Sequence, residues 1–187
     1  HQPGFIVAVP SQPDDAKGLM AAALRAEDPV LFLEHKGVMG LKGPVPEGEH
    51  VVPFGTARVL REGTDVTVVA ISLMVHRALT AAAALERENI SVEVIDPRTL
   101  APLDVATICE SVAKTGRLLV VDEDFPPCGA GAEIAARVME QAFDELDAPV
   151  RRLNGGFVPA PYSPALEKAM IVTAESIAGA VRALRAE

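Results

Sequence analysis

Apolar and polar positions along the chain fall into short runs that switch between two periods. Phe5 to Val9 (FIVAV) is a β-branched run and Val30 to Glu34 (VLFLE) a second. The stretch from Asp14 to Glu27 predicts a helix between them, and Ser11 and Asp14, three residues apart, have the form of a capping box. Beyond residue 60 the alternation becomes regular. Asp65 to Ile71, Ser91 to Ile95, Arg117 to Val121 and Pro149 to Leu153 read as strands, the first of them buried. Met74 to Glu88, Asp104 to Lys114 and Gly129 to Glu145 read as the helices between them, with Asp104 as a cap. Ser163, followed by Pro164, and Thr173 predict caps for C-terminal helices.

Strands that alternate with helices predict an α/β fold, a mostly parallel sheet flanked by helices. The interval from Lys36 to Gly55 breaks the pattern, with Gly37, Gly40, Gly43, Gly48 and Gly55 among Pro44, Pro46 and Pro53, and reads as a linker or a long crossing loop. The block before it holds two strands and one helix, too little to bury a core alone. The expectation is that the chain is part of something longer or needs a partner.

Charge narrows the function classes. The 187 residues carry a formal net charge of -9, which opposes a nucleic-acid partner. No apolar stretch is long enough for a membrane span, and no basic leader precedes the first strand, so a cytoplasmic protein is expected. Cys109 and Cys128 read as reduced thiols rather than a disulfide framework.

The segment LLVVDEDFPPCGAGAEI, Leu118 to Ile134, is where a buried strand hands over to a helix, the edge at which open α/β sheets bind ligands. Its glycines miss the dinucleotide fingerprint at the third position, and Asp122, Glu123 and Asp124 repel a phosphate. The same acids can hold a hard cation, although consecutive residues on a strand point to opposite sides. Solvated acids, or acids facing another subunit, are the plainer reading. Glu34, His35 and Lys36 at a strand end are an acid–base candidate, His76 a surface or interface residue, and Ser72 lacks the setting of a hydrolase nucleophile. Asp144, Glu145 and Asp147 gather at a helix end where the dipole disfavours acids, so they are either tolerated by solvent or kept for a basic partner.

At the level of words, the chain resembles the beta subunit of the thiamine-diphosphate-dependent decarboxylating component of 2-oxo-acid dehydrogenase complexes. The segments carrying the likeness are PGFIVAVPSQPDDAKGLMAAALRAEDPVLFLEHK, GTDVTVVAISLMVHRALTAA, SVEVIDPRTLAPLD, SVAKTGRLLVVDE, GAGAEIAARVMEQAFDELDAPVRRL and PAPYSPALEKA, in order and spacing. The resemblance implies that residues 1–45 end a pyrimidine-binding domain, that 46–55 form a linker, and that 56–187 form a transketolase-type C-terminal domain. The family's activating glutamate and its lipoyl-transfer histidine have no counterpart here, His1 falling just before the matching Pro-Gly, so no catalytic or cofactor-binding residue is assigned.

Two family sites fall within the chain. A potassium ion held by carbonyls and an acid in relatives maps onto Ala23, Ala26 and Asp28, with Ala26 in place of the acid. The docking site for the subunit-binding domain of the lipoyl acyltransferase maps onto Asp147, with Asp144 and Glu145 beside it. Milder departures are Asn154-Gly155-Gly156-Phe157 before the proline-tyrosine motif and Ser72 where a glycine is customary. The implied parent enzyme decarboxylates a 2-oxo acid, or cleaves acetoin, on thiamine diphosphate with magnesium bound mainly outside this chain, and passes the acyl group to lipoamide. Its implied partners are an alpha subunit, a second beta subunit and the acyltransferase. EHK followed by KGPVPE leans toward acetoin or pyruvate relatives. Alternatives are another transketolase-superfamily enzyme, such as a deoxyxylulose-phosphate synthase, and a stand-alone binding module.

Overall fold

A computed structural model describes residues 2–187; His1 lies outside the described residues. The architecture is built around three strands whose residues are buried along their whole length: β4 (Val66–Ala70), β5 (Val92–Asp96) and β7 (Leu118–Val121), ordered by position in a chain that begins with β1 (Ile6–Ala8), β2 (Val30–Phe32) and β3 (Arg58–Arg61). Strands buried on both faces must be covered on both, and the helices divide accordingly. The odd-numbered and even-numbered residues of β4 face opposite cores.

Val66, Val68 and Ala70 point to α2 (Leu73–Glu86) and α6 (Ala174–Arg185), where Ala78, Leu85, Ile177 and Leu184 complete one cluster. Val69 and the following Ile71 point to α3 (Val105–Thr115) and α4 (Ala130–Gln141), meeting Ile108, Val112, Ile134 and Val138. Thr67 shares that second face, and its hydroxyl lies 2.6 Å from Ser111 Oγ and 2.7 Å from Thr115 Oγ1, so the polar group is buried with partners.

The large sheet has the order β3-β5-β4-β7-β8, with β8 spanning Arg151–Leu153. Its pairs are parallel except β3 with β5, which confirms a mostly parallel α/β sheet flanked by helices. A smaller sheet, β2-β1-β6, sits beside it, with β6 at Thr99–Ala101 and α1 (Pro13–Ala23) crossing between β1 and β2. β6 belongs to the connection that leaves β5, yet it pairs antiparallel with β1, Val7 opposite Ala101 and Ala8 opposite Thr99. The Gly/Pro-rich stretch is strapped down rather than loose: Lys17 donates to the carbonyls of Pro46 and Gly48, and Val52 packs against Gly18.

Three expectations change. Ser11 does not cap α1; Gln12 occupies that position, and the Ser11 hydroxyl donates instead to buried Asp96. The helix after Gly129 stops at Gln141 and continues as a 3-10 turn, Phe143–Glu145. Strands β3 and β6 were not expected. Asp104 caps α3 by accepting the Thr107 N–H, and Thr173 forms a capping box with Ser176 at α6, as predicted. Ser163 and Pro164 begin α5 (Pro164–Met170) without a side-chain cap bond. No described helix is long and apolar enough to cross a membrane, and both cysteines are free.

Candidate functional site

From β4 the chain runs through α2 to β5 on one side, then returns through α3 to β7 on the other. The strand order therefore reverses between β4 and β7, and a crevice opens outside their carboxyl ends. That crevice is a cleft of about 730 Å³, walled by the ends of β4 and β7, the Leu33–His35 segment after β2, and residues 155–171.

Ser72, between β4 and α2, is held at φ 51° and ψ -119°, a conformation that side chains other than glycine rarely adopt. It is 6% exposed, and its hydroxyl has no hydrogen-bond partner among the described residues. Across the crevice the expectation of solvated acids is corrected in part. Asp122 is 7% exposed, and burial pushes its carboxyl above the usual range although Oδ1 accepts the Asp124 N–H at 3.2 Å. Glu123 and Asp124 are exposed. Glu123 accepts from His35 Nε2, and His35 Nδ1 accepts the Gly37 N–H at 2.9 Å. Both ring nitrogens are thus engaged, which removes His35 as a base for Ser72. Gly155 is needed beneath these acids, because a Cβ there would lie 2.4 Å from the Glu123 carbonyl oxygen.

A second polar cluster lies at the seam between the two sheets. Asp15, 1% exposed, accepts from Arg98 Nη1 at 2.8 Å and Arg58 Nη1 at 3.1 Å, and Asp14 accepts from the same Arg58 at 2.8 Å. Asp96 is fully buried; desolvation pushes its carboxyl up to about 6 against the bonds from the Ser11 hydroxyl and the Arg98 N–H. His76 Nε2 lies 2.8 Å from the Ser11 carbonyl, so the expected interface residue faces an interface within the chain. Sequence reasoning missed this cluster, and its one local signal is the Asp96-Pro97-Arg98 turn, where Arg98 adopts φ 57°.

Asp144, Glu145 and Asp147 are exposed in the 3-10 turn and the bend after it, at the opposite, amino edge of the sheet, beside exposed Phe143. Asp147 lies 3.6 Å from Arg117 and packs on Gly116, the left-handed cap of α3. Ala23 closes α1, its carbonyl accepts the Ala26 N–H at 3.3 Å, and Asp28 is exposed. The three positions offer one exposed carboxylate and backbone carbonyls, that of Ala23 already accepting one hydrogen bond. No group of three His, Cys, Asp or Glu among the described residues is placed to hold a metal ion.

The profile of the transketolase C-terminal domain matches residues 55–177. The chain is 50% identical over 182 residues to the beta subunit of acetoin:2,6-dichlorophenolindophenol oxidoreductase from Cupriavidus necator, covering 97% of this chain and 54% of that one. It is 47% identical to the beta subunit of 2-oxoisovalerate dehydrogenase from Bacillus subtilis (98% and 57% covered) and 46% identical to that of the pyruvate dehydrogenase E1 component from Rickettsia felis (97% and 56%). The chain thus spans about half the length of these curated relatives. A solved structure described as a split-gene transketolase, inactive beta4 tetramer, superimposes with a TM-score of 0.82 at 28% identity, covering 98% of this chain and 58% of that one. Fold, profile and relatives agree with the resemblance read from the sequence: the chain belongs to the transketolase C-terminal domain family and aligns with the beta subunits of 2-oxo-acid and acetoin dehydrogenases.

Proposed function

We propose that this chain is the C-terminal segment of the beta subunit of a 2-oxo-acid or acetoin dehydrogenase, and that it serves assembly and docking rather than bond-making. The observation that carries this is the identity of 45–50% to such beta subunits along almost the whole chain. Identity to the transketolase structure is 28%, which favours the dehydrogenase reading over another superfamily enzyme. In that reading residues 1–45 end a pyrimidine-binding domain, 46–55 connect, and 56–187 form the C-terminal domain. Thiamine diphosphate with magnesium, bound mainly outside these residues, supplies the carbanion chemistry of decarboxylation in the intact enzyme. Potassium takes no part in this proposal.

The partners proposed are an alpha subunit, a second beta subunit and the basic subunit-binding domain of the lipoyl acyltransferase. Exposed Asp147, with Asp144 and Glu145, offers the last of these a negative patch, and the exposed ring of Phe143 adds apolar contact. Calorimetry with that basic domain tests the docking surface: Asp147→Lys is expected to weaken binding by about 1–3 kcal/mol, most strongly at low salt. Unchanged affinity removes Asp147 from the surface. Supplied with thiamine diphosphate, magnesium and pyruvate, 2-oxoisovalerate or acetoin, the chain alone is expected to turn over none of them, and robust turnover overturns the assignment of chemistry elsewhere.

A further inference from the structure

The cleft at the carboxyl edge of β4 and β7 takes no part in the docking proposed above, and its wall is unusual in composition. Five carboxylates, Glu34, Asp122, Glu123, Asp124 and Glu167, face one histidine and one arginine. The histidine is committed to Glu123, and Arg77 donates to the carbonyl of buried Val172. The helix that starts here offers an anion little, because the first-turn N–H groups of Met74 and Val75 already bond the carbonyls of Ile71 and Ser72 at 3.0 Å each. The remaining buried polar groups are the Asp122 carboxylate, an acceptor, and the Ser72 hydroxyl, whose oxygen can accept and which has no partner among the described residues. Around them Leu33, Leu73, Phe125 and Met170 supply an apolar wall.

A backbone strained at a non-glycine residue persists where its surroundings impose it, and such residues cluster at ligand sites. The volume falls within the range of small-molecule pockets. We propose that this cleft binds a small amphipathic organic cation, its ammonium or guanidinium head set between Asp122 and Ser72 and its apolar body against Leu33, Leu73 and Phe125. A bound cation gives the buried carboxylate the partner it lacks and the Ser72 oxygen a donor. The proposal does not rest on the dehydrogenase reading, and its test involves no turnover.

The test is titration of the chain with three ligands that share one body, hexylammonium chloride, hexanoate and hexanol, followed by backbone amide shifts in NMR. Hexylammonium is expected to saturate, to shift the amides around Ser72, Leu73 and Asp122, and to bind at least about tenfold more tightly than hexanoate. Asp122→Asn is expected to weaken hexylammonium about tenfold while leaving hexanol unchanged, and Ser72→Gly to weaken it by a few-fold. Equal binding of the three heads, a preference for hexanoate, or no saturable binding each overturns the proposal. So do shifts gathered at Asp144–Asp147 in place of the cleft, the pattern of a cation drawn to acidic surface alone. The comparison of heads uses the unaltered protein and decides the matter even if a variant fails to fold.

Discussion

The seam between the two sheets and the cleft at the carboxyl edge bury the same kinds of side chain in opposite states. At the seam, Asp15 meets two arginines, and Asp96 receives a hydroxyl and a backbone N–H. At the cleft, Asp122 is buried and the hydroxyl of Ser72 has no hydrogen-bond partner, and neither meets a cation among the described residues. Polar groups that hold a fold together find their partners within the chain, whereas groups left open must be completed from outside or tolerated as a cost. The first arrangement ties β1, α1 and β6 to the large sheet; the second leaves capacity for a ligand.

Substitution should therefore have opposite signs in the two places. The largest effect is expected from Arg98→Ala, which strands Asp15 without one of its cations and removes the bonds to the Thr56 and Ala57 carbonyls. Urea unfolding should show a loss of about 3–5 kcal/mol, and a loss under 1 kcal/mol would mean that Arg58 alone suffices for Asp15.

Next comes the pH dependence set by Asp96. Its carboxyl titrates near 3.9 when unfolded and at about 6 when folded, so the native state holds an extra proton between those values. That stabilisation is complete below the unfolded pKa and is lost as pH rises through 6, amounting to about 3 kcal/mol. Urea midpoints measured from pH 4 to 7 should reveal the decline, and Asp96→Asn should flatten it.

At the cleft, removing the polar group should help. Ser72→Gly relieves the positive φ and deletes an unpartnered hydroxyl at the price of chain entropy, for an expected net gain of about 1 kcal/mol by thermal melting. The smallest change is expected from Asp122→Asn, a slight gain near neutral pH that vanishes in acid, where the native carboxyl is protonated. Stability lost at either position would place the cleft with the seam.

The buried strands and the long helices were legible because complete burial and helical periodicity are local patterns. β4, β5 and β7 lie within a residue or two of the segments read as strands, although the burial of Glu93 and Asp96 in β5 was not visible in the sequence. β3 was hidden because arginines flank its Val59-Leu60 pair, and β6 because three residues carry no period; both are antiparallel additions at a sheet edge. Ser11 and Asp14 were spaced like a cap, but the Ser11 hydroxyl found Asp96, 85 residues away, a contact that no local rule contains. Of the cleft, the acidic strand end and the odd Ser72 were visible. The burial of Asp122 and the pairing of His35 with Glu123 were not, since they depend on how segments far apart in sequence meet.

The antiparallel pairing of β6 with β1 also bears on how the chain comes to be folded. Val7 and Ala101 are nearly a hundred residues apart, so during synthesis β1 and β2 emerge long before β6, the strand that pairs with β1 on its other side. Until β5 has left the ribosome and delivered β6, β1 lacks that antiparallel partner and Asp15 lacks Arg98. The seam is thus completed late, and it is the growth of the second sheet that closes it.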